Sequence, residues 1–317
     1  MTTDTALLSL VEADIRAARF VIASTAEPGD GAFSRWARAV GDTAPDVASA
    51  IVQRDWSFEH VATDAEHHEL LAGIERWQPR VPSHADVTRA LAAMEAKAIW
   101  SLDIFESQSS YPANLRDLGD HAPLVLFGIG DSSVLDAEHK VAMVGSRAAT
   151  GYGEHVAMSI ASELADRGEV IVSGGAYGID GMAHRAAIAA GGQTIAFLAG
   201  GVDRFSPMGH ESLLQTITQH GAVVSELPPG SAPTKWRFLQ RNRLIAALSH
   251  GTVVVEAGVR SGSLNTASHS LALGRPTMAV PGPVTSPASA GTARLIREYG
   301  ATLVTSATDI AETLSDR

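Results

Sequence analysis

No cysteine occurs among the 317 residues, which excludes disulfides and thiolate metal sites and suits a reducing compartment. No run of 18 apolar residues is present either, so the sequence offers no membrane-span candidate. The N-terminal stretch MTTDTALLSLVEADIRAARF mixes charged and apolar residues at helical spacing and lacks the apolar centre of a secretory signal. These features point to a cytoplasmic protein. Positive charge is scarce: 24 Lys and Arg stand against 35 Asp and Glu, a formal charge of −11. That balance argues against a protein that coats nucleic acid over its whole surface. It leaves room for a local basic pocket, because exposed charges are screened beyond about 10 Å.

Several motifs are missing as well. No strand is followed by G-x-G-x-x-G with an acidic residue some 20 positions on, and no G-x-x-x-x-G-K-[ST] occurs. Nicotinamide, flavin and phosphate-hydrolysing motor chemistry all lose ground. There is no G-x-S-x-G nucleophile elbow. The twelve histidines form no H-x-x-x-H or H-E-x-x-H pattern, so no metal site is expected. Asp180 and His184 stand four apart, within reach on one helix, and Ser173 or Ser261 could complete a triad on paper. Asp180 reads equally well as a first-turn acid, and no catalytic residue is assigned.

What is present is an ordinary globular composition, 45% hydrophobic and 19% charged, at a length that suits two domains. Residues 1–98 read as a small helical domain. ALLSLVEADIRAARFVIAS and DVTRALAAMEAKAIW carry apolar residues at helical spacing, broken at AEPGDG (26–31), GDTAPD (41–46) and QPRVPS (78–83). Trp36, Trp56 and Trp77 are expected to form its core. From 99 onward short apolar runs appear: SLDIF, PLVLFGIG, VAMVG (141–145), EVIVS (169–173), TIAFLAG (194–200), AVVSE (222–226), GTVVVEA (251–257) and PTMAVPG (276–282). From VAMVG on, amphipathic stretches separate them. Strands apolar along their whole length and alternating with helices predict an α/β fold, with a doubly wound, mostly parallel sheet over 99–317.

In such a sheet a ligand sits at the carboxyl ends of the strands. The loops expected there are Gly145-Ser146-Arg147, Ser173-Gly174-Gly175, Gly200-Gly201, Glu226-Leu227-Pro228-Pro229, and Glu256 followed by RSGSLNTA, which brings in Ser261, Gly262 and Ser263. Glycines permit close approach and helix N-termini bind anions, so the edge suits phosphates. Arg147 supplies a guanidinium for a phosphate, or else a salt bridge to Glu226 or Glu256. The most distinctive segment is KWRFLQRNR (235–243), where Lys235, Arg237, Arg241 and Arg243 interleave with Trp236 and Phe238. Cations that track a backbone and aromatics that stack on bases are the ingredients of single-strand binding. A solvated basic face over buried rings is the alternative. With a helix starting near Leu239, Arg241, Asn242 and Arg243 fall in its first turn, where cations favour a nearby anion.

GSRAATGYG, SGGAYGIDGMAH, TIAFLAGGVD, VVSELPPG, FLQRNRLIAALSH, VVVEAGVRSGSLNTASHSLALGRPTMAVPG and GTARLIREYGA follow one another as in the DNA-processing protein (DprA/Smf) family, which the chain resembles from about 111 to 301. The resemblance implies a Rossmann-like, non-enzymatic protein of the bacterial cytoplasm with no cofactor. The implied partners are single-stranded DNA, a second copy of itself and the recombinase RecA; such a protein protects incoming DNA and loads RecA onto it in recombination and natural transformation. The family's DNA pocket falls here on Arg147, Lys235 and Phe238, with Ser173 and Gly174 beside it. The chain departs from the family at Phe205-Ser206-Pro207, where Tyr-Pro is usual, and at Leu239, where proline is usual. The winged-helix-like domain that many members carry is not expected in this chain, and its helical region falls where the family has a sterile-alpha-motif-like domain. The competing reading is a Rossmann-like enzyme that cleaves the base from a nucleoside monophosphate, with Glu256 as its carboxylate. EAGVRSGSLNTA replaces the signature such enzymes carry.

Overall fold

The computed structural model describes residues 4–57, 63–105 and 111–315. Its first part consists of α1 (Thr5–Ala13), α2 (Ile15–Thr25), α3 (Gly31–Val40), α4 (Ala44–Gln53), α5 (Asp64–Trp77) and α6 (His84–Ala96). Side-chain caps set these starts. Thr43 with Asp46, and Ser83 with Asp86, form reciprocal capping boxes before α4 and α6. Trp36, Trp56 and Trp77 are buried and touch one another, with ring centroids 4.7 to 6.5 Å apart.

The second part is a nine-stranded sheet. Its strands are β1 (Trp100–Asp103), β2 (Val125–Gly130), β3 (Lys140–Val144), β4 (Val170–Ser173), β5 (Thr194–Phe197), β6 (Gly221–Ser225), β7 (Gly251–Val254), β8 (Thr277–Ala279) and β9 (Thr302–Leu303). They lie in the order β1-β2-β6-β5-β4-β3-β7-β8-β9. β1 and β2 pair antiparallel, as do β2 and β6, and every other pairing is parallel. Strands β3 to β7 are buried at every residue, as their unbroken apolar runs require. The expected doubly wound, mostly parallel sheet is what forms.

The intervening helices are α7 (Gly151–Asp166), α8 (Ile179–Ala189), α9 (Glu211–His220), α10 (Lys235–Leu248), α11 (Ser263–Ala272) and α12 (Ala290–Tyr299), with α13 (Ala307–Ser315) last. The chain proceeds from β3 through β4 and β5 to β6, then crosses back by α10 and lays β7 against the other side of β3. Strand order therefore reverses between β3 and β7, where a crevice opens at the carboxyl ends. No helix among the described residues is long and apolar enough to cross a membrane.

We propose 1–98 and 99–317 as two domains that share one core. Leu7, Ile22, Trp36 and Trp77 belong to one continuous buried cluster with Phe127, Leu244 and Val254 of the sheet region. Arg19 of α2 donates from Nε to Asp103 of β1 at 2.7 Å, and from Nη1 to the Ser101 carbonyl at 2.7 Å.

Candidate nucleic-acid interface

A cleft of about 780 Å³ opens at the strand-order reversal. The β3–α7 loop gives it Gly145, Ser146 and Arg147, the β7–α11 loop gives Arg260, Ser261, Gly262 and Ser263, and α10 gives Lys235, Phe238, Arg241 and Asn242.

Helix α10 starts at Lys235, four residues before the expected start near Leu239, because the Thr234 side chain accepts the Arg237 N–H at 3.2 Å and caps the helix there. Lys235 and Arg237 thus occupy the first turn, Arg241 ends the second, and Arg243 lies in the third. Cations in a first turn oppose the helix dipole and favour an anion close by. The far end is tied down by Arg275, whose Nη1 donates to the carbonyls of Ala246 (2.9 Å), Ala247 and Ser249 (2.6 Å).

Helical period then sorts the basic segment into two sides. Lys235, Phe238, Arg241, Asn242 and Ile245 line the cleft. Arg237 and Arg243 turn away from it. Arg237 pairs with Glu27 on the α2–α3 connection at 3.0 Å, and the buried Arg243 pairs with Glu226 at 2.5 Å. Arg243, expected among the DNA-site residues, does not line the cleft, because its guanidinium is turned to Glu226.

Arg147 forms neither of the salt bridges open to it. Its guanidinium lies 4.9 Å from the centroid of the Phe238 ring, a cation–π contact with both groups at the cleft wall. Arg147, Lys235 and Arg260 are exposed, and none of them makes a hydrogen bond or ion pair with any described residue. Arg241, on the floor, is buried. Its Nη1 donates to the carbonyls of Gly174 at 2.6 Å and Phe197 at 2.5 Å, and its Nε donates to Asn242 Oδ1 at 3.2 Å. A Cβ at Gly174 would lie 2.3 Å from that Nη1, so glycine there makes room for the arginine. Burial pulls Arg241 down to about 10 while neighbouring Asp180 opposes the fall, so the side chain stays charged at neutral pH. Burial likewise raises Asp180 above the ordinary carboxylate range, against the pull of Arg241 and of the Ala176 and Gly174 amides. The floor holds a charged arginine fixed by backbone carbonyls, with the Asp180 carboxyl beside it.

Asn242 lines the cleft and also positions it, donating from Nδ2 to the Gly262 carbonyl at 3.3 Å and to Asn265 Oδ1 at 3.2 Å. This holds the start of α11, which has no side-chain cap of its own, against α10. Ser261 and Ser263 share a 2.8 Å hydroxyl contact at the same helix start. The loop after β4 tucks beneath the first through Gly178, at φ +73°, where a Cβ would lie 2.2 Å from the Ser146 carbonyl.

Three expected pocket residues have other tasks. Ser173 is fully buried behind the cleft and donates to the Met143 carbonyl at 2.6 Å. Glu256 is buried, and its carboxylate accepts the Thr150 N–H at 2.8 Å and hydroxyl at 2.7 Å, bracing the β3–α7 loop. It does not line the cleft, so the base-cleaving reading loses its carboxylate there. Gly145 lines the cleft, but its bare Cα faces Ile179, 2.5 Å from where a Cβ would stand, and so serves packing. Arg260 was missed as a candidate. The signal was its place in the loop after β7, equivalent to that of Arg147 after β3.

The fold is doubly wound and Rossmann-like, with exposed cations around an aromatic ring at its strand-order reversal. The sequence profile of the DNA recombination-mediator protein A family matches residues 103–315, and the chain belongs to that family. A Mycobacterium tuberculosis relative is 54% identical over 214 residues, 67% of this chain and 54% of its own length. The chain thus matches about half of that relative. The X-ray structure of DNA processing protein A from Streptococcus pneumoniae superposes with a TM-score of 0.74 at 31% identity, covering 92% of this chain and 95% of that one. A structure of DNA processing protein A from Helicobacter pylori, which binds single-stranded DNA, matches with a TM-score of 0.62 at 31% identity, covering 69% and 96%.

Proposed function

We propose that the cleft binds single-stranded DNA along its sugar–phosphate backbone, and that the chain, as a cytoplasmic homodimer, protects the strand and hands it to RecA in recombination and natural transformation. The observation that carries this is the set of three unpaired cations, Arg147, Lys235 and Arg260, around an aromatic ring in a chain of net charge −11. Phosphates neutralise the cations, and an unpaired base has a face to stack on the Arg147–Phe238 pair. A duplex keeps its base faces covered, which favours the single strand. The relatives' DNA-processing names and the DNA bound by the Helicobacter pylori protein support the same reading. The chain's part is binding and handover, with no bond made or broken.

Anisotropy titration of labelled single-stranded and duplex oligonucleotides tests it. Three phosphate contacts predict a slope of about −2 in log K against log salt for single strands. Arg147→Glu is expected to weaken binding by about tenfold or more with the unfolding midpoint unchanged. Equal affinity for duplex, or unaltered affinity in the variant, contradicts the binding reading. A RecA filament assay on single-stranded DNA coated with single-strand-binding protein tests the handover, which predicts faster loading when the chain is added.

A further inference from the structure

In this acid-rich chain most cations of the described residues are occupied. Among the described residues, five Lys or Arg side chains make neither hydrogen bond nor ion pair: Arg147, Arg185, Arg204, Lys235 and Arg260. Three of them are the cleft cations. Arg204, exposed in the loop after β5, lines a second groove of about 490 Å³ on the same sheet edge. Opposite it stand Arg80 and Arg89 of the helical region, and Arg237 of α10 lies at its wall.

The carboxylates of this groove are already engaged. Glu27, just outside the lining, is shared between Arg80 at 2.6 Å and Arg237 at 3.0 Å, so one acid serves two guanidiniums. Asp86 pairs with Arg89 at 3.1 Å, and Asp203 accepts the Gly230 N–H at 2.8 Å. That leaves a surplus of positive charge against the net charge of the chain. Strand order fixes how the two sites relate. β5, β4, β3 and β7 are consecutive neighbours, so Arg204, Tyr177, Arg147 and Arg260 project from four adjacent loops along one edge. Arg204 leaves the sheet two strand spacings from Arg147, about 10 Å. Between them, exposed Tyr177 is held in place: its hydroxyl accepts the Gly209 N–H at 3.2 Å and its ring meets His210 edge-on at 4.7 Å.

A polymer seated in the central cleft has to leave it, and this side of the edge offers an aromatic and then an unpaired cation. We propose that the bound strand continues from the cleft past Tyr177 into the Arg204 groove, so that the helical region forms one wall of an extended single-strand track. The inference rests on the reading of the cleft as a single-strand site.

Strand length separates the two ideas. Affinities of the intact chain are measured for thymidine oligonucleotides of about five and about sixteen nucleotides, near the two ends of known single-strand site sizes. Arg204→Glu is expected to leave the short strand within about twofold and to weaken the long strand about fivefold or more. The salt slope for the long strand falls by about 0.7 for one lost phosphate contact. Arg185→Glu, equal in charge change but placed on α8 away from both sites, is expected to alter neither. If Arg204→Glu spares both strands while Arg147→Glu weakens both, the extended track falls and the cleft stands. If Arg185→Glu matches Arg204→Glu, bulk charge is responsible and the track also falls. If Arg147→Glu spares both strands, the cleft reading itself fails.

Discussion

On one side of α10, Arg237 and Arg243 give their guanidiniums to Glu27 and Glu226; on the other, Lys235 meets no acid among the described residues. These residues lie within nine positions of one helix, in a chain with 35 acidic side chains to choose from. The fold pairs the cations that attach α10 to the helical region and leaves open those that face the cleft. Pairing on the attachment side serves cohesion, whereas the open side holds its charge in reserve for a partner that the chain does not supply. Arg241 stands between the two cases, charged and facing the cleft, yet fixed by backbone carbonyls.

The contrast can be broken most forcefully on the attachment side. Arg243→Ala leaves Glu226 unpaired in a mostly buried site, and removing one partner of a buried pair typically costs about 3–5 kcal/mol. Urea unfolding is expected to show a loss of that size, with the affinity of the remaining folded protein for single-stranded DNA preserved. A loss of affinity in the folded fraction would put Arg243 on the binding side after all. Next comes the cleft ring: Phe238→Ala is expected to weaken single-strand binding by about 1–3 kcal/mol, the usual worth of a base–aromatic stack, with little change in the unfolding midpoint.

The smallest expected effect concerns Glu27. Burial works against its ionisation, but Arg237 and Arg80 outweigh burial and hold its carboxyl below the ordinary 4.5. With the folded value depressed, the unfolded chain binds the proton more readily. Glu27 therefore adds stability above about pH 4.5 and loses it as pH falls through the folded value. Because the pair is partly exposed, the contribution is about 1 kcal/mol or less. Glu27→Gln is expected to flatten that part of the stability–pH curve, read by thermal unfolding between pH 3 and 6; a wild-type-like slope would show that other carboxylates carry it.

The strands were legible because residues such as Val141 to Val144 and Thr252 to Val254 are buried on both faces, and a parallel sheet writes that as an unbroken apolar run. β9 was not, since two exposed residues leave no pattern. The start of α10 was misplaced because Lys235, Trp236 and Arg237 show no apolar period, so Thr234 was the one signal available. Arg147, Lys235 and Phe238 were legible as a site through strand-end logic, basic–aromatic composition and family resemblance. Which of Arg241 and Arg243 faces the cleft depends on the helix register, and the register hung on that cap. That Glu256 braces a loop, and that Gly145 faces Ile179, are tertiary facts that no local pattern records.

The central claim is that the two sides of α10 divide binding in the central cleft from cohesion, and Lys235 and Arg237 test it from two positions apart. The measurement is the affinity of Lys235→Glu and Arg237→Glu for a thymidine oligonucleotide of about five nucleotides at one fixed salt concentration, with unfolding midpoints recorded alongside. Lys235→Glu is predicted to lose about tenfold or more in affinity at an unchanged midpoint. Arg237→Glu is predicted to lower the midpoint, by setting a second acid against Glu27, while the folded protein keeps the short strand within about twofold. Equal losses of affinity in both variants, or full affinity in Lys235→Glu, would contradict the account.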